Sequence, residues 1–553
     1  MYAVDIYEAS YKARLRAGLG LLSALIFGLG LLLLTYQPVN PGDPLDYVLF
    51  LADGTRNFQY LDRLNIYVTS LLLFEAGVPI QHIPPVMATL LSFALIFTAS
   101  TWLAVKINLG AVWVFLSLML VSPFWSPVFS FLYPTLATAF LSLASILLFI
   151  RARIMGKNFF WVGYLVGWSI LWKIQSLGLA IGICICVFLL EPKSNRKLIS
   201  GTIVLGALLG FVSNIGLWVF LVSPEVAFQN LASYFDTAFH AQVKGRDERG
   251  LPLFAIFLFE PSFFLAMTAC VWVLFDKKLS AYKPLAVVSV SQFCFLNLLY
   301  LITLRGGPPI ANYVLDTLST AFLLIPVLFL RIFDLAGAEN SRNAEGAFSL
   351  FWMFGAVSLL VSLIVFAGFF VLIDEPSLYL SVRSMSFTSA FDFIINGFCF
   401  AALVSILVFL LFEGKYNNRV LWRFSLFLVM SCVVGNSYKA AADLQFRARE
   451  SQHYNTVLAV IENETPDIVR VDLGRGEPEA TNLLTKLLKG VSPEIQFRLP
   501  CVGEKCDIRS GQSKLYVYTD PKTALGKFAL LPGERSVKSV AGTDIYYEKR
   551  IAP

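Results

Sequence analysis

The sequence has few charged residues and almost no histidine. Only 14% of its 553 residues are charged and 57% are hydrophobic, with a mean hydropathy of +0.70. A typical soluble domain has about 25% charged and about 45–50% apolar residues. The composition therefore excludes a soluble globular protein, and its high apolar content also excludes an intrinsically disordered one.

Short segments of alternating polarity are also absent. The strands of an outer-membrane barrel alternate over about ten residues, whereas the apolar runs here are continuous and about twenty residues long. A helix that rises about 1.5 Å per residue needs about 20 apolar residues to cross a hydrocarbon core of roughly 30 Å. The sequence therefore predicts an all-α polytopic membrane protein.

The motifs of common cofactor sites are missing too. The sequence has neither a Walker phosphate-binding loop nor a Rossmann fingerprint, which disfavours a nucleotide-sugar substrate on the cytoplasmic face. Its three histidines, His82, His240 and His453, lack the spacing of metal ligands, so we expect no zinc site. We predict no metal and no cofactor, although a divalent cation shared by Asp43 and Asp46 stays open as an alternative.

About thirteen apolar runs are present, each a candidate transmembrane helix. They lie near 17–36, 84–105, 111–122, 133–150, 158–173, 177–190, 198–222, 251–275, 284–304, 309–330, 347–373, 387–412 and 420–437. The run at 111–122 is the weakest because it is short. No small-residue cleavage site follows the first run, which indicates an uncleaved helix rather than a signal peptide.

Loop charges predict the orientation of these spans. With the N-terminus inside, every inside loop is basic, and most contain a cluster such as Arg151, Arg153 and Lys157. This distribution follows the positive-inside rule, and an odd number of spans then places the C-terminus outside. We therefore predict a multi-pass protein of a bacterial inner membrane, although an endoplasmic reticulum would give the same topology.

The composition becomes that of an ordinary soluble protein at about Lys439. We accordingly predict a transmembrane domain over 1–437 and an extracytoplasmic domain over 438–553. Strand patterns at 467–473, 514–519 and 544–548, with a helical pattern at 479–488, predict a small α+β fold for the second domain. Its two cysteines, Cys501 and Cys506, can form a disulfide in an oxidising compartment.

The first outside loop, residues 37–83, is the most informative stretch of the chain. Loops longer than about fifteen residues are usually functional. Within this one, the segments 47–52 and 60–75 have the pattern of amphipathic helices that lie along a membrane surface. Taken alone, the loop is equally compatible with a cap over the helix bundle.

A series of short motifs begins in this loop and continues along the chain. They are Asp43-Pro44-Leu45-Asp46-Tyr47, the turn residues Ser122-Pro123 and Tyr133-Pro134-Thr135, the segment from Gly163 to Gly167 that leads to Trp172-Lys173, and the segment from Arg305 to Tyr313. Together they resemble the glycosyltransferase-C superfamily, polytopic enzymes that take sugars from polyprenyl-phosphate donors on the outer face of the membrane. The layout of spans with an external C-terminal domain is similar to the lipid A aminoarabinose transferases and to bacterial enzymes of the protein mannosyltransferase type. One departure is Pro44, because many members have Glu after the first Asp.

The resemblance implies roles for several residues. Asp43 or Asp46 would be the general base, and Tyr47 and Tyr313 would line the cavity. The donor phosphate would be bound by basic residues: Lys173, Arg305, Arg56 and Arg63. Each has a simpler alternative, because Asn-Pro-Gly-Asp-Pro is also a turn signal, a lysine at the end of a span can extend to the lipid headgroups, and the loop arginines can pair with neighbouring acids.

The predicted function is transfer of a sugar from a polyprenyl-phosphate donor to a lipid, glycan or protein acceptor outside the cytoplasm. An envelope polysaccharide polymerase or ligase is a related alternative. A transporter or flippase is a second alternative, disfavoured because no inverted repeat of broken helices is evident. A third is a non-catalytic assembly or sensor protein that acts through the outer domain. The sequence does not identify the sugar, the acceptor or the length of the polyprenyl chain.

Overall fold

The computed structural model describes most of the helical part of the chain and the strands of its C-terminal part. The described residues are 2–35, 48, 51, 64–121, 134–173, 176–221, 224–225, 227–229, 231–232, 261–303, 319–338, 344–373, short runs and single residues between 427 and 464, 468–472, 496–497, 513–518, 538–541, 543 and 545–551. Cys501 and Cys506, and the helix predicted over 479–488, lie outside them.

The described helices are long and mostly apolar. They are α1 (Tyr2–Thr35), α2 (Leu64–Glu75), α3 (Ile83–Lys106), α4 (Leu109–Val121), α5 (Pro134–Met155), α6 (Phe159–Ile170), α7 (Leu177–Leu190), α8 (Lys193–Leu221), α9 (Pro261–Phe275), α10 (Lys283–Thr303), α11 (Leu324–Ala338) and α12 (Ala344–Leu372). Every predicted span from the first to the one near 347–373 overlaps one of these helices. The last two predicted spans, 387–412 and 420–437, fall almost wholly outside the described residues.

Five helical stretches among the described residues are long and apolar enough to cross a membrane: Ile83–Lys106, Leu136–Met155, Lys193–Leu221, Lys277–Leu296 and Phe351–Leu372. Large apolar side chains on two of them are exposed. On α8, Leu198 and Phe220 are 75% and 85% exposed, and on α12 Val371 and Leu372 are similarly open. A contiguous apolar surface of this kind is rare on water-soluble monomers, so these faces are expected to contact lipid. The prediction of a polytopic helical membrane protein is confirmed at this level.

Glycines allow α6 and α8 to pack in direct backbone contact. A Cβ atom added at Gly163 or Gly167 of α6 would lie well within 3.0 Å of a carbonyl oxygen of α8, and one added at Gly206 or Gly210 of α8 would meet a carbonyl oxygen of α6 in the same way. Small residues spaced by four are typical of close helix pairs in membranes. The relative position of α6 and α8 is therefore closely constrained.

A tight reversal joins α5 to α6. Gly156 and Asn158 adopt left-handed backbone angles, with φ of +66° and +74°, a conformation that commonly ends a helix. Beside this turn Arg153, in the last turn of α5, forms an ion pair with Glu191, which follows α7. The ends of α5 and α7 that the sequence predicts to face the cytoplasm are thus fastened together.

Polar side chains link several helices inside the bundle. Gln292 of α10 donates to the hydroxyl of Ser142 of α5 at 3.0 Å, and Ser289 of α10 shares a 2.6 Å hydrogen bond with Thr320. All four residues are buried. Interhelical hydrogen bonds of this type contribute about 0.6 kcal/mol on average in membrane proteins.

The C-terminal part contains a mixed five-stranded sheet. Its strands are β1 (Ile468–Asp472), β2 (Gln496–Phe497), β3 (Ser513–Tyr518), β4 (Lys538–Ser539) and β5 (Tyr546–Ile551), in the order β2-β1-β3-β5-β4. β1 pairs in parallel with β2 and β3, and β5 pairs antiparallel with β3 and β4. β1, β3 and β5 occupy or overlap the three segments in which strands were predicted. The α+β class of this part stays a prediction, because the predicted helix is not among the described residues.

The chain divides into two compact units. The first contains Met1–Thr35, Leu61–Asn65 and Ala88–Gln445, and the second contains Tyr36–Tyr60, Ile66–Met87 and Phe446–Pro553. The first unit contains α1 and the helices from α4 to α12, which form one apolar core together with most of α3. The second unit contains the sheet.

Candidate functional site

The candidate site is centred on Lys173, which follows the end of α6. Lys173 is 3% exposed, and its ammonium nitrogen is buried. A lysine that extended to the lipid headgroups would have an exposed nitrogen. The burial therefore argues against that alternative and leaves Lys173 as an ionisable group inside the protein, which in a membrane protein is a functional candidate.

Hydrogen bonds hold the backbone of the turn that contains Lys173. Its amide donates to the carbonyl oxygen of Ser169 at 3.3 Å. The hydroxyl of Ser176 lies 2.8 Å from the carbonyl oxygen of Ser169 and 2.5 Å from that of Lys173, and the Ser176 amide also donates to the Lys173 carbonyl at 3.0 Å. Ser169 and Ser176 are fully buried. Lys173 and Ser176, which lie between α6 and α7, are therefore both hydrogen-bonded to the end of α6 or to each other.

Two buried asparagines, one before α6 in the chain and one after it, form hydrogen bonds with the last turn of that helix. The side-chain amide of Asn65 and that of Asn214 each donate to the carbonyl oxygen of Trp168 at 3.4 Å. The backbone amide of Asn65 also donates to the carbonyl oxygen of Leu171. Asn65 is 2% exposed and Asn214 is fully buried. We call these two residues the asparagine clamp.

The glycine interface between α6 and α8 explains how Asn214 reaches this position. Asn214 lies one helical turn after Gly210, and Trp168 directly follows Gly167. Since these glycines bring the two backbones together, an amide on a short side chain of α8 can reach a carbonyl of α6. Asn65 lies at the start of α2, within the first outside loop, so this point of the loop is fastened to the end of α6, which leads to Lys173.

The electrostatic environment suits a cation. The carbonyl end of a helix carries a partial negative charge equivalent to roughly half an elementary charge, and a cation there is stabilised by about 0.3–1 kcal/mol, or up to about 2 kcal/mol when partly buried. Lys173 occupies this position relative to α6. The helix end thereby offsets part of the cost of burying the ammonium group.

The other predicted site residues fall outside the described part of the chain. They are Asp43, Asp46, Tyr47, Arg56, Arg63, Arg305 and Tyr313. In the first outside loop, the amide of Leu51 donates to the carbonyl oxygen of Val48 at 3.0 Å. Both residues lie within the segment 47–52, for which a helix was predicted. Among the described residues no group of three or more His, Cys, Asp or Glu side chains is placed to hold a metal ion.

The helix predicted over 60–75 is described as α2, from Leu64 to Glu75. Its side chains are buried at one end of the helix and exposed at the other, whereas an amphipathic helix has one buried face and one exposed face. Ile66, Tyr67 and Val68 are buried in succession, whereas Leu72 and Phe74 near its end are 45% and 39% exposed. The amphipathic pattern described this helix only in part, because the first turns are enclosed on all sides.

Sequence patterns did not identify the asparagine clamp or the two serines around Lys173. Asn214 interrupts an apolar run of α8, and a polar residue inside a span is a recognised signal of an internal role. Asn65 carries no comparable signal, because it lies beside a polar loop where asparagine is common.

Comparisons with known proteins identify the fold. No protein-family model matches the chain, and neither does any curated protein sequence. Among solved structures, ArnT from Cupriavidus metallidurans in the apo state has 13% sequence identity to the chain and a TM-score of 0.54, with 97% of each chain covered. ArnT of the same organism bound to undecaprenyl phosphate has 14% identity and a TM-score of 0.50, with 96% of this chain and 97% of that chain covered.

ArnT is a lipid A aminoarabinose transferase, one of the proteins to which the sequence motifs pointed. At this level of identity the similarity establishes the fold, and it does so over almost the whole length of both chains. The chain therefore has the polytopic helical fold of ArnT, as its motifs predicted.

Proposed function

We propose that the protein is a membrane glycosyltransferase that moves a sugar from a polyprenyl-phosphate donor to an acceptor on the extracytoplasmic face. The observation that carries this proposal is the burial of Lys173 at the end of α6, in a chain with the fold of a protein that has been seen bound to undecaprenyl phosphate. The short loop motifs around Asp43 and Asp46 support the same activity. The acceptor is a lipid, a glycan or a protein.

The proposed reaction begins at the acceptor hydroxyl. Asp43 or Asp46 takes its proton while the oxygen attacks the anomeric carbon of the sugar. A general base acts over a hydrogen-bond distance of about 3 Å and contributes typically 10²–10⁴-fold to the rate. A new bond forms between the acceptor oxygen and the anomeric carbon, and the bond from that carbon to the phosphate oxygen breaks.

The departing group is the polyprenyl phosphate, which takes the electron pair of the broken bond. Its phosphate gains negative charge as the bond breaks, so a fixed cation lowers the barrier. Lys173 is proposed to supply that cation, with Arg56, Arg63 and Arg305 as additional phosphate ligands. The hydrogen bonds of Ser176 and of the asparagine clamp hold the backbone of the lysine segment in place, so the cation needs little reorganisation when the donor binds.

Sugar transfer in proteoliposomes tests the proposal. The purified protein is given a panel of radiolabelled polyprenyl-phosphate sugars with total envelope extract as acceptor, beside an Asp43→Asn/Asp46→Asn double variant. We expect label to move to an acceptor with the wild type and not with the double variant. Equal transfer by both would exclude the two aspartates as the base.

The alternatives give different results in the same experiment. A polymerase or ligase would extend or move a glycan chain rather than add one sugar. A transporter or flippase would bind the lipid donor and move it across the bilayer without breaking the glycosidic bond. Absence of both donor binding and transfer would contradict the proposed function and favour an assembly or sensor role.

A further inference from the structure

A groove with both polar and apolar lining residues lies on the C-terminal unit. It has a volume of about 640 Å³ and is bounded on one side by helical residues between 452 and 463 and on the other by β4 and the turn after it. Sites for small molecules are typically about 300–1,000 Å³. Every described residue that lines the groove belongs to the second compact unit.

The helical wall of the groove presents three carboxamide side chains. Gln452, Asn455 and Asn463 follow a helical spacing that puts them on one face, and each carries a carboxamide. In the part of the chain that the structure describes, no hydrogen bond engages these three carboxamides. A carboxamide offers two donors and an acceptor, so this wall presents donors and acceptors side by side with no net charge.

The opposite wall supplies a hydroxyl group and an aromatic ring. Ser539 of β4 and Tyr547 of β5 line it, and the ammonium nitrogen of Lys538 lies 5.5 Å from the centre of the Tyr547 ring. Lys538 also forms a 3.2 Å ion pair with Glu464. Lys549 contacts the same carboxylate at 3.7 Å, so these charges are engaged with one another. The described residues that line the groove are all uncharged, which favours a neutral ligand over a strongly anionic one.

A peptide is a weaker candidate for the occupant. Peptides often bind by adding a strand to the edge of a sheet, and β4 is the edge strand beside the groove. However, β4 has only two residues, and very short edge strands are a recognised means of preventing strand addition. Among the described lining residues, the aliphatic ones are only alanines and valines, and Tyr547 supplies the one aromatic ring, so large apolar pockets of the kind that anchor peptide side chains are not seen there.

We propose that this groove binds a neutral oligosaccharide. Neighbouring sugar hydroxyls each donate and accept a hydrogen bond, which matches a wall of carboxamides and hydroxyls, and the C–H face of a sugar ring can pack on Tyr547. This inference deepens the proposed function, because it assigns the acceptor to the glycan class. It rests on that function for its biological meaning but not for its test, which measures binding alone.

Saturation-transfer difference NMR on the full-length protein in lipid nanodiscs tests the site. The probes are maltotetraose, cellotetraose and chitotetraose, with an oligogalacturonate of the same length as an anionic comparison. We expect at least one neutral tetrasaccharide to bind and the oligogalacturonate to bind more weakly. An Asn455→Ala/Asn463→Ala variant should lower the affinity about tenfold, because it removes two hydrogen-bonding groups.

Three controls make the result decisive. Asn195→Ala removes an exposed carboxamide on α8 and should leave binding unchanged. Asn455→Asp/Asn463→Asp keeps the side-chain shape, so it reports on the groove if the alanine variant folds poorly. Lys173→Met should impair the donor site and leave glycan binding intact, which separates this inference from the proposed function.

Failure of all three neutral probes to bind, preference for the oligogalacturonate, or unchanged affinity in the groove variants would overturn the inference.

Discussion

At the scale of single residues, Lys173 is the described side chain with the clearest role. It is buried at the carbonyl end of α6, in a turn held by Ser176 and by the asparagine clamp. The proposed function assigns this cation to the donor phosphate, and burial already limits the freedom of its side chain. Binding of the donor phosphate is therefore the property that we expect to be most sensitive to this residue.

Replacing Lys173 should weaken the binding of polyprenyl phosphate. Hydrogen bonds to charged groups contribute about 1.5–3 kcal/mol, which corresponds to about 10–100-fold in affinity. We expect a loss of this size for Lys173→Met and a smaller one for Lys173→Arg, measured as binding of undecaprenyl phosphate to the protein in nanodiscs. Lys157→Met changes an exposed lysine just before the start of α6. This variant should bind undecaprenyl phosphate as the wild type does. An equal loss in both methionine variants would exclude a specific role for Lys173.

The asparagine clamp should contribute to stability as well as to donor binding. Asn214→Ala removes one of the two amides that donate to Trp168. Interhelical hydrogen bonds in membrane proteins contribute about 0.6 kcal/mol on average and at most about 1.7 kcal/mol, so a modest fall in melting temperature is expected, together with weaker binding of undecaprenyl phosphate. Asn195→Ala is the matched control. A stable variant with unchanged phosphate binding would contradict the positioning role.

Single residues of the site were only partly predictable. Lys173 was a candidate from the sequence because it ends a span within a recognisable motif, and its role stays a prediction. Asn65 and Asn214 were not, because their role depends on a contact across 103 and 46 residues of chain, respectively. The contact of Asn214 follows from the packing of α6 on α8 and that of Asn65 from the placement of α2 beside the end of α6, and hydropathy describes neither.

At the scale of helices and strands, the glycine interface between α6 and α8 should tolerate no added methyl group. A Cβ atom at Gly206 would overlap the carbonyl oxygen of Phe160, whereas one at Gly201 of the same helix meets nothing within 4 Å. Overpacking of a close interface costs about 1–3 kcal/mol. We therefore expect Gly206→Ala to lower the melting temperature clearly and Gly201→Ala to leave it unchanged or slightly raised, since alanine favours helix. Similar effects at both positions would contradict the close packing described here.

The ion pairs of Glu464 should make the stability of the C-terminal unit depend on pH. Partial burial raises the pKa of the Glu464 carboxyl, but the hydrogen bond and charge of Lys538 and the charge of Lys549 outweigh this effect and hold the pKa below its usual value of 4.5. The folded-state pKa is thus the lower one, so the stabilisation is complete above about pH 4.5 and is lost as the pH falls through the folded-state pKa. The effect is small because exposed ion pairs contribute little.

Thermal unfolding of wild type and Glu464→Gln at several pH values checks this prediction. The melting temperature of the wild type should be slightly higher at neutral pH. The difference should shrink below pH 4.5 and disappear once the pH has fallen below the folded-state pKa, because the carboxylate is then protonated. Glu225→Gln alters an exposed acid of the other unit and serves as the control. A difference that persists unchanged in acid would contradict the ion-pair explanation.

The elements themselves were the most predictable part of the molecule. Their length and apolar content decide whether they cross a membrane, and both are local properties of the sequence. Even the weakest predicted span, 111–122, corresponds to α4, which begins directly after Asn108. The side chain of Asn108 caps this helix by accepting a hydrogen bond from the amide of Ala111 at 2.9 Å. The gradual burial of α2 along its axis was not predictable, because it depends on neighbours that are distant in sequence.

At the scale of the whole molecule, loop charges predict that the C-terminal unit lies outside. Protease added to cells that are permeable only at the outer envelope should remove the part of the chain after about Lys439, whereas the loops predicted to be inside should stay protected. The physical reason is the basic character of every loop predicted to be inside. Protection of the C-terminal part in these permeable cells, together with its cleavage in inverted vesicles, would contradict the predicted orientation.

The hydrogen bond from Asn65 to Trp168 also has a consequence for the order of assembly during synthesis. The two residues are 103 positions apart, and a ribosome adds roughly 5–20 residues per second. For roughly 5–20 seconds after Asn65 is made, its partner therefore does not exist. The second amide of the clamp arrives a further 46 residues later with Asn214. The first outside loop is thus synthesised well before the end of α6, to which Asn65 fastens it. The loop can be fixed in place only after α6 has entered the membrane.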